Sequence, residues 1–284
     1  MKIEFLGTGG AVTIPRPLCQ CRVCVEARVK GIPYSRSGPS LFVHGPDVLI
    51  DTPEDIYMQM NRSKIKQINA VFYSHWHPDH VMGRRVLESI NADFRNYPPA
   101  STTTDVYLPQ QVAIDFQHRL GSGEHLSFLE KMKYIRLHTL QDGDSVLMEG
   151  VEIRPFRLAE DYVYAFLFSE GEKRVLIAMD ELNNWDPPRE VQEVDVAVLP
   201  IGIFELHPLT GERLLPEHHP ILKIEATFAE TLNIIHKLKA KKTILTHVEE
   251  MNRLGFDDLK EIEKQLQKQG LSIEIAYDTM MVEV

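Results

Sequence analysis

Hydrophobic and polar positions alternate along this chain in two rhythms, short apolar runs and stretches of helical spacing. The runs 48–50, 70–73, 105–108, 151–154, 162–168, 174–178, 195–199, 242–245 and 272–276 predict buried strands. Helices are predicted over 54–61, 110–120, 228–238 and 257–268. In the third, Leu232, Ile235 and Leu238 recur at helical spacing, and in the fourth Leu259, Ile262 and Leu266 do, as core-facing stripes require. Strands alternating with helices predict an α/β architecture. There is no internal repeat, and the polar, proline-bearing stretch 211–220 reads as a loop. One domain over residues 1–284 is expected.

Composition adds mainly exclusions. The chain has 284 residues, 43% hydrophobic and 25% charged, an ordinary globular balance. Its net charge of −10 repels phosphate backbones, and the densest basic run, 237–242, is short. No nucleic-acid partner is expected, although local cations could hold a small anionic substrate. The start of the chain offers no signal-peptide pattern, and no stretch approaches the roughly 18 apolar residues of a membrane span. Cys19, Cys21 and Cys24 are the only cysteines, an odd set within six positions that cannot form a disulfide framework. A reduced, cytoplasmic protein away from the membrane is the expectation.

Where the run 70–73 ends, four candidate metal ligands follow within six positions: His75, His77, Asp79 and His80. Neutral imidazole suits zinc, iron and related metals, while a carboxylate neutralises charge and can orient a water. Pro78 stiffens the turn that brings them together. Histidines can also gather on a surface loop without a role. The order H-x-H-x-D-H directly after a buried strand favours a metal centre.

This motif resembles that of the metallo-β-lactamase superfamily, and the resemblance runs along nearly the whole chain. Phe5-Leu-Gly-Thr-Gly-Gly10 is similar to the superfamily's opening strand and glycine turn. Asp51 stands where members place an aspartate that supports the ligand loop, although Thr52-Pro53 replace the glycine that commonly follows. The resemblance implies an α/β fold, an αβ/βα sandwich of two mixed sheets flanked by helices. It also implies two divalent metal ions, zinc, manganese or iron. His75 and His77 would bind the first, Asp79, His80 and His247 the second, and Asp180 would bridge both. One imidazole of the family pattern is missing, and Glu160 stands at the matching place. Glu160 is expected to ligate the first metal and to tilt preference towards manganese or iron. The alternative is that it merely begins a surface turn.

Cys19-Gln-Cys21-Arg-Val-Cys24 lies in a loop at about 15–35. Thiols this close can share one metal, with a fourth donor from elsewhere, and a structural zinc would staple a loop that has little core. This loop and the glycine start most resemble the PhnP-type phosphodiesterases of the superfamily. In them the fourth zinc ligand is a histidine three positions after the late metal histidine, a count that lands on Glu250. Either Glu250 or one of His207, His218 and His219 completes the site. In the same relatives a histidine before the last long helix serves as proton donor, which points to His219 over His218. Ile224-Glu-Ala-Thr227 resembles the His-Glu-Ala-Thr stretch of tRNA 3′-processing endonucleases. It lacks the histidine and is read as the opening of an amphipathic helix.

Two metals sharing a carboxylate acidify a water and neutralise charge growing on a phosphoryl or carbonyl oxygen. Asp79 is expected to orient that water and His219 to protonate the leaving alkoxide. The implied function is metal-dependent hydrolysis of a small phosphodiester, cyclic ones included. PqqB-like relatives share the fold and an early cysteine cluster but are associated with iron-dependent oxidation, which is a second reading. A non-catalytic metal-binding protein is a third. Homodimers are common among the relatives, an expectation by analogy alone.

Overall fold

The computed structural model describes residues 1–96 and 100–284, and in them fourteen strands form two seven-stranded sheets. The first runs Met281–Glu283, Lys2–Gly7, Ser40–His44, Val48–Ile50, Ala70–Phe72, Thr104–Pro109 and Ile135–Leu140. The second runs Ile273–Ile275, Lys242–Thr246, Val196–Pro200, Lys173–Ile177, Tyr164–Glu170, Val151–Arg157 and Val146–Met148. Each sheet is half antiparallel and half parallel. Val48–Ile50 and Lys173–Ile177 are the strands with an antiparallel neighbour on one side and a parallel one on the other.

Side chains divide by parity, as the pleat dictates. Phe166, Phe168, Val175, Ile177, Val196 and Val198 point between the sheets and meet Ile3, Phe5, Val43, Ile50 and Phe72. Leu167, Leu176, Ala197 and Leu199 face outward under helices Phe228–Leu238 and Phe256–Lys268. On the far face of the first sheet, Leu49, Val71 and Val106 lie under helices Gln110–His118 and Ser122–Lys131. Strands covered on both faces need apolar residues at every position, which explains their continuous runs. The layers are helix, sheet, sheet and helix, the αβ/βα sandwich that the resemblance implied.

The stripe Leu259, Ile262 and Leu266 is buried, and each such side chain contributes about 1.5–3 kcal/mol. In the other helix Leu232 is only half-buried, and Thr231 and Ile234 pack inward beside Ile235 and Leu238. That helix starts at a capping box between Thr227 and Glu230. Two further elements carry only a brief apolar signature. Ile135–Leu140 is an edge strand whose Arg136 and His138 hydrogen-bond to Asp105. Arg22–Lys30 is a helix within the cysteine segment, opened by Cys21, whose sulfur accepts from the Cys24 amide. The strand expected from 162 begins at Tyr164, which leaves Tyr162 in a turn. No described helix is long and apolar enough to cross a membrane.

Candidate metal centres

The parallel strands of both sheets end on one side of the sandwich, and ligands collect at such carboxyl ends near a switch in strand direction. Asp51 follows Val48–Ile50, His75 to His80 follow Ala70–Phe72, Asp180 follows Lys173–Ile177, and His247 follows Lys242–Thr246.

Asp51, fully buried, ties the first two turns together. Its carboxylate accepts hydrogen bonds from the Ser74 amide (2.8 Å) and Ser74 Oγ (2.6 Å) and pairs with His80 Nδ1 at 2.7 Å. A partner at Nδ1 fixes the ring and leaves Nε2 to face inward. Asp51 takes a left-handed backbone, with φ 60°. The following Thr52 locks onto the ligand turn: its amide donates to the His80 carbonyl, and its own carbonyl accepts from the Gly83 amide. A Cβ at Gly83 would lie 1.9 Å from the Pro53 carbonyl oxygen, so only glycine fits.

The inward atoms converge but satisfy one another little: His80 Nε2 and His247 Nε2 lie 3.4 Å apart, the hydrogen bond found among them in the described residues. Asp180 Oδ2 lies 3.7 Å from His75 Nε2, 3.7 Å from His80 Nε2 and 3.5 Å from His247 Nε2. Asp79 Oδ2 lies 3.3 Å from His80 Nε2 and 3.7 Å from His247 Nε2. His75 Nε2 and Asp79 Oδ2 are buried with no hydrogen-bond partner, a cost of about 1–3 kcal/mol each. Donor atoms of His75, His77 and Asp180 form one group within 4.8 Å, and those of Asp79, His80 and His247 form another. Imidazoles and carboxylates so arranged fit two divalent cations, with Asp180 placed between them.

Charge in the metal-free protein is finely divided. Burial, then the neighbouring His80 and His77, push the His75 imidazole well below its usual range, so it stays neutral. Burial also lowers His77. Burial opposes ionisation of Asp79, but the positive charge of His80 and the nearby imidazole of His247 hold its carboxyl far down. Burial likewise opposes charge on His247, yet Asp180, Asp79 and Glu249 bring it up to about 9. Burial and the charge of Asp180 raise Glu181 and Glu225, each to about 8. Metal and proton compete for the same atoms. Groups that hold protons up to these values must release them to bind metal, so affinity is expected to tighten from about pH 6 to about pH 9. Competition titrations with a chelator measure this, and a flat profile would contradict it.

A second cluster lies where the cysteine helix meets the turn Glu250–Asn252. Glu250 Oε1 is 3.3 Å from Cys19 Sγ, 3.6 Å from Cys21 Sγ and 3.3 Å from Cys24 Sγ. All four donors lie within 4.8 Å of one another. Of the open choices for the fourth donor, Glu250 is therefore the one brought to the thiols. Burial pushes the Cys24 thiol up to about 12, whereas the Cys21 amide lowers Cys19. A cation that draws off the protons suits this mixture better than three thiols do. Cys24→Ser is expected to lose one tightly held metal per chain and about 5–10 °C of melting temperature. Elemental analysis beside a thermal melt checks both.

Two expected residues fall elsewhere. Glu160 sits in the turn after Val151–Arg157, half-buried, its carbonyl accepting from the Val163 amide, and it is not gathered with His75, His77 and Asp180. The carboxylate recorded against His77 is instead Glu181, with Oε1 3.6 Å from Nδ1. His219 caps the short turn Pro220–Lys223, its Nδ1 accepting from the Ile221 amide. Among the described residues, no hydrogen bond or ion pair joins His219 to the histidine–aspartate cluster. His207 makes a similar local bond to Leu209, and His218 is exposed.

Four residues escaped the sequence reading. Glu181, Glu225 and Glu249 line a cavity of about 10 Å³ with Asp180 and His247. Glu181 adjoins Asp180, and Glu249 stands two residues after His247 and directly before Glu250, signals that adjacency could have given. Glu225 belongs to the tetrad set aside above as a helix opening. Tyr162 had no signal, yet its ring lies 5.6 Å from that of His77 and 6.5 Å from that of His75. A larger cavity, about 340 Å³, lies beyond Ile203, lined mostly by apolar residues such as Leu209, Phe228 and Ile262.

Sandwich and converging ligands together define a metallo-β-lactamase fold with a candidate dinuclear centre. Residues 47–248 match the beta-lactamase superfamily domain, and the chain belongs to that superfamily. Among solved structures it is similar to a diphosphatase of the PhnP family, with TM-score 0.68, 23% identity and coverage of 100% of this chain and 97% of the other. Zn(2+)-bound PqqB from Methylobacterium extorquens gives 0.66 and 13%, over 100% of both chains. The short form of human tRNase Z gives 0.62 and 17%, over 100% of this chain and 99% of its own. At such identities the likeness is one of fold. An octanoyltransferase of Porphyromonas gingivalis is 33% identical over 93 residues, 32% of this chain but only 18% of that protein's length.

Proposed function

We propose that the protein is a metal-dependent hydrolase that cleaves a small phosphodiester. The observation that carries this is the convergence of His75, His80 and His247 Nε2 with Asp79 Oδ2 around Asp180. His75, His77 and Asp180 would hold one cation, and Asp79, His80 and His247 with Asp180 the other. When bound, the pair would acidify a water and neutralise charge on a phosphoryl oxygen.

The chain's own groups do the rest. Asp51 and Glu249 lie at the Nδ1 atoms of His80 and His247, at 2.7 and 3.5 Å, and so aim each Nε2 inward. Asp79 remains a carboxylate and can accept a hydrogen bond from the attacking water. Burial and the charges of Glu181 and Glu160 raise the Tyr162 phenol, so Oη keeps its proton and can donate to a substrate oxygen. Nearby, the Arg119 guanidinium, paired with Asp115 at 2.9 Å, lies 4.8 Å over the Trp76 ring and helps to fix that ring beside His77. Support for phosphoryl chemistry comes from the shared fold of the PhnP-family diphosphatase.

The test is hydrolysis of bis(p-nitrophenyl) phosphate and of cyclic nucleotides by protein loaded with Mn²⁺, Fe²⁺ or Zn²⁺. Activity is expected, with a loss of about 10³-fold or more in Asp79→Ala. Metal-replete protein inert towards all of them would overturn the proposal. The carboxylate-rich surroundings favour one rival, oxidation at iron, which oxygen consumption by iron-loaded protein would reveal.

A further inference from the structure

We propose that Glu181 is the carboxylate that completes the first metal position, in place of the missing imidazole. The inference rests on the dinuclear centre proposed above and names one of its ligands. The second position has two imidazoles and a carboxylate of its own besides the shared Asp180. The first has His75, His77 and only the shared Asp180. A divalent cation there lacks one protein donor.

Glu181 has the required placement. It is 5% exposed, and among the described residues its carboxylate receives no hydrogen bond. Its Oε1 lies 3.6 Å from His77 Nδ1, and it lines the same small cavity as Asp180. Consecutive residues of an extended strand point to opposite faces, so Asp180 and Glu181 should diverge. A left-handed backbone at Glu181, φ 59°, breaks that alternation and turns both carboxylates to one side. Neither Glu181 nor Glu160 belongs to the close donor group of His75, His77 and Asp180. Glu181 comes within 3.6 Å of His77, whereas Glu160, in a half-buried turn, forms no ion pair or hydrogen bond with either imidazole among the described residues.

With Glu181, each position has two imidazoles and two carboxylates, one of them shared. Oxygen donation of this weight favours manganese or iron over zinc relative to a three-imidazole site.

The experiment measures metal content and affinity, without substrate, on wild type, Glu181→Gln, Glu181→His and Glu160→Gln. Wild type is expected to bind two metals at the histidine–aspartate centre besides the one at the cysteines. Glu181→Gln should retain one of the two, the other weakened by about tenfold or more. Glu181→His should restore the pair and shift competition between Mn²⁺ and Zn²⁺ towards zinc, which also shows that the fold survives change at this position. Glu160→Gln should match wild type. Glu181→Gln binding two metals at wild-type affinity, or Glu160→Gln losing one, overturns the assignment while leaving the dinuclear centre intact. Wild type binding no metal at the centre overturns both.

Discussion

Asp180→Ala is expected to strip both metals from the histidine–aspartate centre and to lower kcat/KM on bis(p-nitrophenyl) phosphate by about 10³-fold or more. One oxygen, Oδ2, lies within 3.7 Å of three imidazole nitrogens drawn from both ligand groups. No neighbour duplicates that position, so the loss cannot be shared out as it could at a terminal ligand. Stability should move differently. In the metal-free protein the charge of Asp180 raises Glu181 and Glu225, a sign of repulsion among crowded carboxylates. Removing it relieves that repulsion, so metal-free Asp180→Ala should melt no lower than metal-free wild type. Elemental analysis, kinetics and paired melts separate the effects. Retention of both metals by Asp180→Ala would defeat the bridging role.

Asp51→Ala is expected to do the reverse, with stability falling first. Its carboxylate serves the Ser74 amide, Ser74 Oγ and His80 Nδ1, all at 2.8 Å or less and all buried. Leaving such donors unpaired costs about 1–3 kcal/mol each. The expected loss is about 3 kcal/mol or more, or roughly 8 °C in a chain of this size. Metal affinity should also fall, by about 10–100-fold, because His80 loses the partner that aims it. A melting temperature unchanged in the metal-free protein would show that the hydrogen bonds carry no such weight.

These two residues also show how far the sequence could be read. The ligand cluster was visible because it follows an apolar run, whose end delivers the next residues to a fixed rim, whereas Asp51, Asp180 and His247 were legible through the resemblance to the superfamily. The cysteine cluster was visible through spacing, and Glu250 through the resemblance, by its count from His247. Glu160 shows the limit of counting along a chain, which cannot see a turn direction: residue 181 has a left-handed backbone and 160 stays in a half-buried turn, outside the group formed by His75, His77 and Asp180. The local role of His219 was likewise out of reach, since counting cannot show that its Nδ1 caps the turn Pro220–Lys223. Tyr162 was hidden by being assigned to a strand that begins two residues later. The edge strand Ile135–Leu140 buries few apolar residues and the short helix Arg22–Lys30 buries Val23, Cys24 and Ala27 beside a sulfur cap, patterns too brief to stand out along the chain.

The crowd of carboxylates around the candidate centre dictates an order of events. Above about pH 8, where Glu181 and Glu225 have lost their protons, Asp79, Asp180, Glu181, Glu225 and Glu249 surround a space with only histidines to balance them, so the proposed anionic substrate meets a field of its own sign until cations are in place. Metal must therefore precede substrate. By thermodynamic reciprocity, whatever factor the metals add to substrate affinity, substrate returns to metal affinity. Bound substrate should thus lock the metals in, and the protein should shed them most readily between turnovers.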